Sequence, residues 1–274
     1  MLSYQHHYHV GNHADILKHW VLFECLSYMQ KKDKPFDYID THGGAGIYRL
    51  NDSKTQKLKE FETGVTRLLA EPIAEMQDFV ALLQGFVAQG QYPGSPGLVN
   101  ELLRRGDKSW LFELHPQTFA ELAQHCTRKR QTFVRQEDGF VGLNSLLPVA
   151  SKRALVLIDP SYELKEDYEK VIETAEKARQ KMPQTSLLIW YPVVDRLYVN
   201  LMLRKIQKST LRNVLQLELC IAPDSDEKGM TGSGMILINP PWTMAEQARR
   251  LLPELTRVLA GDAGEFAVNS LIPE

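Results

Sequence analysis

The chain has 274 residues, of which 43% are hydrophobic and 24% charged, a composition typical of a globular protein with one large domain or a domain that carries an insertion. Its formal net charge of −2 excludes a general electrostatic preference for nucleic acid, so any nucleic-acid site has to be a local patch. Three isolated cysteines without a CxxC pair argue against a disulfide framework and a thiolate metal site, and we expect them to be reduced and mostly buried.

The N-terminal segment, residues 1–20, is rich in histidine and tyrosine: "YQHHYHVGNHADILKHW". It lacks the blocks of a signal peptide, and no apolar run in the chain reaches the roughly 18 residues of a membrane helix, so we expect a cytoplasmic protein. Gly11 and Asn12 indicate the start of a helix. A metal site is one interpretation of the histidines. We prefer a flexible segment whose aromatic and cationic side chains stack on bases and contact phosphate.

Two basic clusters, "LRRGDK" (103–108) and "TRKRQ" (127–131), either extend such a patch or are ordinary solvated faces.

Seven short β-rich runs follow the N-terminal segment, and several are continuously apolar, as strands buried on both faces are. They are residues 35–40, 109–115, 132–138, 154–160, 186–192, 215–221 and 234–240. Helical patterns separate most of them; one begins with Pro116 at a first helical position, and another has an apolar stripe over 166–182. This alternation predicts an α/β fold, with a mostly parallel sheet covered by helices on both faces.

One connection is longer than the others. Gly46 and Glu113 are 67 positions apart, about twice what a simple βαβ unit needs. The excess contains two helical patterns, residues 53–70 and 72–89, and then the turn-rich "GQYPGSPG". We therefore predict a single domain, 1–274, with a helical insertion from roughly Leu50 to Pro93.

The ends of the first three strands carry the pattern of a cofactor site. The first strand runs into "IDTHGGAGIY", where an acid and a glycine run around Gly44 let a ligand approach main-chain amides. The spacing fits the loop that holds S-adenosylmethionine in class I methyltransferases better than a nicotinamide site. Glu113 and Asp138 end the next two strands, where they are predicted to accept hydrogen bonds from ribose hydroxyls and the adenine amino group, respectively. Each acid taken alone is also compatible with a loop carboxylate or a helix cap.

The fourth strand ends in Asp159, Pro160, Ser161 and Tyr162. The lone pair of an aromatic amine is delocalised into its ring, and acceptors that hold both amino hydrogens favour the reacting geometry. The Asp159 carboxylate and the Pro160 carbonyl are candidates for these acceptors, and the Tyr162 ring is a candidate for stacking on the base. A plain strand-to-helix turn is the alternative.

A second copy of this pattern, Asn239-Pro240-Pro241-Trp242, follows the seventh strand and is closer to the sequence motif of amino methyltransferases. In a class I sheet the fourth strand lies beside the first and is parallel to it, whereas the seventh is antiparallel. We therefore expect Asn239 at the opposite edge of the sheet in a structural turn, with Trp242 covering the lower rim of the sheet.

These residues together resemble the family of 23S ribosomal RNA adenine-N6 methyltransferases known as RlmJ, of the adenine-2030 type. The resemblance covers essentially the whole chain, through "SYQHHYHVGNHADILKH", "DTHGGAG", "YPGSP", "ELHP", "DGF", "LIDPSYE", "WYPV", "PDSDEKGMTGSGMILINPPW" and "LIPE". It implies a class I, Rossmann-like fold with a seven-stranded, mostly parallel sheet, an antiparallel last strand and a small helical insertion. It also implies S-adenosylmethionine as cofactor, S-adenosylhomocysteine as product, no metal, and 23S ribosomal RNA as substrate. We further expect a monomer, although the sequence itself does not determine the oligomeric state.

Position by position, the resemblance implies cofactor contacts at His19, His42, Ser95, Glu113, Asp138 and Gly139, a catalytic acid at Asp159, and RNA-facing residues at Tyr4, His6 and Lys18. The chain departs from the family pattern at Ser161, where the family has a second proline, and at Gln5, where it has an arginine. Alternatives are a methyltransferase of DNA or of a small molecule, and an RNA-binding ribosome assembly factor with weak or no methyl transfer. A dinucleotide-dependent oxidoreductase fits least.

Overall fold

The computed structural model describes residues 5–225 and 229–274. Its strands are β1 Asp37–Asp40, β2 Ile47–Arg49, β3 Gln91–Pro93, β4 Lys108–Phe112, β5 Thr132–Arg135, β6 Ala154–Ile158, β7 Ser186–Val193, β8 Val214–Cys220, β9 Gly232–Ile238 and β10 Glu265–Ile272. Its α-helices are α1 His13–Gln30, α2 Thr55–Leu58, α3 Val65–Ala70, α4 Gln77–Val87, α5 Ser95–Leu102, α6 Pro116–Cys126, α7 Gly139–Leu146, α8 Asp167–Lys181, α9 Arg196–Gln207 and α10 Met244–Ala260. Short 3₁₀ helices span His6–Tyr8, Glu60–Glu62, Ala74–Met76 and Gly261–Ala263.

Eight strands form one sheet in the order β10-β8-β9-β7-β6-β1-β4-β5. Five neighbouring strands are parallel to one another, namely β7, β6, β1, β4 and β5. Strand β9 is antiparallel to β7 and β8, and β10 is antiparallel to β8. The predicted α/β class, the mostly parallel sheet and all seven predicted strands are confirmed. The eighth strand, β10, was not predicted, because this outer strand is half exposed and has no continuous apolar run.

Strand β6 shows why the sheet needs helices on both faces. Successive side chains of a strand point to opposite faces, and all five residues of β6 are buried. Helices α7, α8 and α9 pack in sequence against one another on the sheet, and α1 packs on β6, β7 and β9. Burial of an aliphatic side chain contributes about 1.5–3 kcal/mol, so the apolar runs that predict the strands also supply the core.

The segment between β2 and β3 lies in the range of the predicted helical insertion. β2 and β3 pair with each other, Ile47 opposite Pro93, and α2, α3 and α4 lie between them in the chain. The assignment of this region as an inserted subdomain stays a prediction. The turn predicted at "GQYPGSPG" is wrong in part, since Gln91–Pro93 form β3 and Ser95 begins α5.

Several local expectations are also confirmed. Asn12 is the N-cap of α1 and accepts a hydrogen bond from the Asp15 amide, so the helix starts where Gly11 and Asn12 indicate. The three cysteines are buried free thiols. No helix among residues 5–225 and 229–274 is long and apolar enough to cross a bilayer.

Candidate active site

The parallel strands bring four carboxylates to one edge of the sheet. Asp40 ends β1, Glu113 follows β4, and Asp159 follows β6, while Asp138 lies just before α7 in the connection after β5. β6, β1, β4 and β5 are consecutive in the sheet and parallel, so their carboxyl ends lie side by side. This edge is called the carboxyl edge below, and the edge where the same strands begin is called the amino edge.

Asp159 is joined to the N-terminal segment by a chain of ion pairs. Lys18 Nζ donates to Asp159 Oδ2 at 2.7 Å and lies 3.1 Å from Asp15 Oδ1. The other oxygen of Asp15 lies 3.0 Å from His6 Nε2. The side chains of Lys18 and Asp15 are 6% and 1% exposed, so these charges interact with little screening by water. The structure thus brings together three predicted site residues, His6, Lys18 and Asp159, whereas Tyr4 lies outside the described residues.

At both acids of these ion pairs, burial raises the pKa and the neighbouring cations lower it, but the net shift is opposite. Burial raises the pKa of Asp159 to about 6, and Lys18 and His6 limit that rise. At Asp15 burial acts in the same upward direction, but His6 and Lys18 hold the pKa well below its usual range. Asp15 therefore stays ionised, while Asp159 changes charge just below neutral pH. Sequence reasoning missed Asp15, although its place three residues before Lys18 on a helix was the available signal.

The glycine loop after β1 is tied to Glu113. Gly44 has φ +57°, a conformation that favours glycine, and its amide donates to Glu113 Oε2 at 3.1 Å. The His115 amide donates to the other oxygen, Oε1, at 2.8 Å. Burial raises the pKa of Glu113, and these two amides oppose the rise. That Glu113 accepts hydrogen bonds from a cofactor's ribose hydroxyls, and that Gly44 contacts the cofactor, stay predictions.

Ser95 is held against the end of β1 by Asp40. The Ser95 hydroxyl and the Tyr38 hydroxyl each donate to Asp40 Oδ2 at 2.7 Å, and the His42 amide donates to Oδ1 at 3.2 Å. Asp40 is fully buried, and burial raises its pKa although these donors oppose the rise. The carboxylate of Asp40 thereby positions two residues that the sequence predicts as cofactor contacts, a role that sequence reasoning did not assign to it.

The two predicted cofactor histidines are both neutral. Burial lowers the pKa of His19 to about 3 and that of His42 to about 4. His19 stacks on Tyr92 with ring centroids 5.6 Å apart, and its Nδ1 lies 2.9 Å from the Tyr92 hydroxyl. Its other nitrogen, Nε2, is buried without a hydrogen-bond partner among the described residues. A buried polar atom of this kind is available to a ligand.

Asp138 is the N-cap of α7. A helix cap is the alternative to a cofactor contact that the sequence left open for this residue. Its Oδ1 accepts hydrogen bonds from the Phe140 and Val141 amides at 2.8 and 3.4 Å, and Lys170 lies 3.3 Å from its Oδ2. Burial raises its pKa, but the amides and Lys170 outweigh burial and lower the pKa overall. A contact to an adenine amino group stays a prediction.

Gly139 brings the beginning of α7 against the loop after β1. A Cβ atom at this position would lie only 1.8 Å from the Thr41 carbonyl oxygen, a distance that no packing arrangement tolerates. Glycine is therefore required for this close approach between two segments of the carboxyl edge, independently of any direct cofactor contact.

Tyr162 is more enclosed than a free stacking platform. Its side chain is 9% exposed, its hydroxyl donates to the Trp190 carbonyl at 2.6 Å, and its ring packs against Tyr168 and Trp190 with centroids 4.6 and 5.9 Å away. Lys18 Nζ also lies 5.5 Å from the ring centroid of Trp190, a residue that sequence reasoning missed. Stacking of Tyr162 on a base stays a prediction, and only its small exposed part meets solvent in this conformation.

The second motif copy lies at the amino edge. β9 is antiparallel to β7, and Ile238 at its end pairs with Leu187 near the start of β7. Asn239 follows with φ +55° and donates from its side-chain amide to the Gln184 carbonyl at 3.1 Å, so it forms a structural turn as expected. The expectation for Trp242 is wrong, because its side chain is 80% exposed and covers no rim of the sheet.

The basic clusters 103–108 and 127–131 precede β4 and β5 and therefore also lie at the amino edge. They are therefore not continuous with His6 and Lys18 at the carboxyl edge, and whether they contact RNA or are solvated faces stays a prediction.

The remaining N-terminal histidines do not share a common partner. His7 lies 3.5 Å from Glu121 and His9 lies 3.0 Å from Glu60, whereas His13 is buried. Within the part of the chain that the structure describes, no group of three or more His, Cys, Asp or Glu side chains is arranged to hold a metal ion.

Comparison with known proteins agrees with the motifs. A family model described as "Ribosomal RNA large subunit methyltransferase D, RlmJ" matches residues 33–272. Two proteins named "Ribosomal RNA large subunit methyltransferase J", from Haemophilus influenzae and Escherichia coli, are 40% and 39% identical to the chain, with 100% of each chain covered. The crystal structure of a Legionella pneumophila protein is similar with a TM-score of 0.87 at 32% identity, covering 95% of this chain and 97% of that one. The chain therefore belongs to the RlmJ family of ribosomal RNA large subunit methyltransferases.

Proposed function

We propose that this protein is a cytoplasmic, monomeric enzyme that transfers a methyl group from S-adenosylmethionine to N6 of an adenine in 23S ribosomal RNA. The observation that carries the proposal is the position of Asp159, at the end of β6 beside the glycine loop that follows β1. The relatives contribute ribosomal RNA as the substrate class, since both are named for it.

The carboxyl edge fits the proposed cofactor. The buried Nε2 atom of His19 has no partner among the described residues, and the glycine loop makes a left-handed turn at Gly44 where no side chain obstructs a ligand. The residues proposed to hold the cofactor are His19, His42, Gly44, Ser95, Glu113, Asp138, Gly139 and, on the reacting side, Asp159. When bound, S-adenosylmethionine supplies a methyl group on a positively charged sulfur, which makes the methyl group an electrophile.

The chain's own contribution to the reaction is to grip the adenine amino group. Lys18 donates to Asp159 Oδ2, and no described residue donates to Oδ1. Oδ1 is therefore open to one amino hydrogen. The Pro160 carbonyl is the proposed acceptor for the other hydrogen. With both hydrogens held, the nitrogen lone pair is localised and directed at the methyl group. The nitrogen would form a bond to the methyl carbon as the carbon–sulfur bond breaks, and S-adenosylhomocysteine would leave with that electron pair. The nitrogen, then positively charged, loses a proton to water or to Asp159.

Lys18 has a specific part in this scheme. A buried carboxyl group next to an apolar strand tends to be protonated, and a protonated Asp159 would offer a weaker acceptor. The ammonium group 2.7 Å away opposes that tendency and keeps Asp159 ionised at neutral pH. Lys18 is also a proposed RNA-facing residue together with Tyr4 and His6, so the same segment that meets the RNA adjusts the charge of the catalytic acid.

The direct test is incubation of the purified protein with labelled S-adenosylmethionine and unmodified 23S RNA, followed by mass spectrometry of the nucleosides. We expect N6-methyladenosine, and its absence would refute the proposal. DNA and free adenosine serve as competing substrates, and preference for either would indicate a different amino methyltransferase. RNA binding without any turnover would instead indicate an assembly factor.

A further inference from the structure

The amino edge of the sheet concentrates positive charge. Four segments, 31–34, 103–108, 127–131 and 152–153, contain eleven of the 32 Lys and Arg residues and only two acidic residues, a formal charge of +9. The whole chain carries −2, so the rest of the molecule is acidic and the positive charge is local. These four segments are called the basic edge.

The basic edge is one continuous surface. Its segments lie at the starts of β1, β4, β5 and β6, which are neighbours in the sheet about 5 Å apart. The Arg104 guanidinium donates to the Lys32 and Lys34 carbonyls at 3.1 and 3.3 Å, and the Gln131 side chain donates to the Arg104 carbonyl at 2.9 Å. The Arg153 guanidinium donates to the same Lys34 carbonyl. Segments that are distant in the chain are thus held together by hydrogen bonds from side chains to backbone carbonyls.

Folding leaves most of this charge without a counter-charge. In the described parts of the chain, the cations of the basic edge that form salt bridges are Arg104, with Asp107, and Arg128, with Glu101. The Arg104 and Arg153 guanidinium groups both donate to the Lys34 carbonyl, so two like charges lie close together. Burial and the charge of Arg104 accordingly lower the pKa of Arg153. An ordinary solvated face mixes both signs of charge, so an edge of nearly one sign is the pattern that suits a polyanion.

We propose that the basic edge binds the phosphate backbone of a ribosomal RNA segment that lies outside the target loop. The inference rests on the proposed function, because it takes the substrate RNA as the polyanion. Lys and Arg contacts to phosphate are independent of base sequence and fix the position of the nucleic acid. The basic edge extends to β5, the outer strand of the sheet, so one RNA molecule has a path around this side from the basic edge to the carboxyl edge. Contacts at both edges would orient the target adenine towards Asp159.

The test is a triple variant, Lys32→Glu, Arg105→Glu and Lys129→Glu. All three side chains are exposed and make no hydrogen bond or salt bridge to described residues, so we expect the fold to be kept. For full-length 23S RNA we expect KM to rise about tenfold and the slope of log binding constant against log salt concentration to fall by about two. For a short RNA hairpin that contains only the target loop, kcat and KM should stay within about twofold of the wild type.

A matched control changes three exposed cations elsewhere: Lys177→Glu on α8 with Arg249→Glu and Arg250→Glu on α10. It has the same change in net charge, and we expect no selective effect on long RNA. If circular dichroism shows that the first variant is unfolded, the corresponding glutamine variant replaces it.

Three results would overturn the proposal: an unchanged KM and salt slope for long RNA, an equal effect in the control, or a loss of binding to acidic lipid vesicles with RNA binding intact. Failure of the proposed function has a different signature, because the wild-type protein would then methylate neither RNA. Salt-dependent binding of the long RNA, measured without turnover, would still decide whether the basic edge contacts it.

Discussion

The pH dependence of methyl transfer should follow the ionisation of Asp159. Burial raises the pKa of this carboxyl group to about 6 despite the ammonium group of Lys18, and only the ionised form is a strong acceptor for an amino hydrogen. About one tenth of Asp159 is then ionised at pH 5 and about nine tenths at pH 7, so kcat/KM should rise close to tenfold over this interval. An aspartate with an ordinary pKa would be ionised throughout, and the profile would be nearly flat.

Replacing Lys18 with methionine sharpens this prediction. Without the cation, burial acts alone and the pKa of Asp159 moves further up, so kcat/KM at pH 7 should fall on the order of tenfold. The activity should recover as the pH rises towards 9, because Asp159 then ionises without help. A loss of RNA contact or of folding would not be reversed by alkaline pH, so the recovery separates the electrostatic role of Lys18 from those two.

The assay is transfer of labelled methyl groups to an RNA hairpin in buffers of constant ionic strength between pH 5 and 9. The matched control is Lys170→Met, which removes the other lysine-aspartate pair of the carboxyl edge, a 3.3 Å contact between more exposed side chains. Its profile should keep the wild-type midpoint near pH 6. A flat wild-type profile between pH 5 and 7, or an Lys18→Met enzyme with an unshifted midpoint, would refute the reasoning.

Three further substitutions test the assignments at the two edges of the sheet. Asp159→Ala should abolish methyl transfer while S-adenosylmethionine still binds in calorimetric titration; comparable loss of both would show that its role is misassigned. Asn239→Ala should keep methyl transfer and lower the free energy of unfolding by about 1–2 kcal/mol, through a left-handed alanine and the lost hydrogen bond to Gln184, as measured in urea; collapse of activity in a folded variant would reverse the choice between the motifs. Gly139→Ala should lower that free energy by about 3 kcal/mol or more, because its Cβ would overlap the Thr41 carbonyl, and an unchanged melting temperature would contradict this packing.

Much of the central sheet could be predicted from the sequence because its strands are buried on both faces. A continuous apolar run such as 154–158 has few alternatives to a buried strand when turn residues and carboxylates follow it. β10 shows the limit of that signal. Its exposed outer position leaves no apolar run to detect, and its pairing with β8 depends on a strand already being there.

The candidate site could be predicted only in part for a similar reason. Glu113, Asp138 and Asp159 follow apolar runs, so their place at strand ends is a local property of the chain. The partners of these residues are not local. Lys18 and Asp159 are 141 positions apart, and nothing in either neighbourhood indicates that a lysine of α1 reaches the end of β6.

The sequence by itself determined which residues end the strands, where the glycine loop lies, and which two segments carry the motif of an amino methyltransferase. The tertiary structure decided what those residues do. It placed Asp159 at the carboxyl edge against Lys18 and Asp15, and it placed the closer motif match, Asn239, at the amino edge among structural hydrogen bonds. The physical reason is that strand direction and the contact of distant charges follow from the collective burial of the whole sheet and its helices. No short stretch of sequence contains that information.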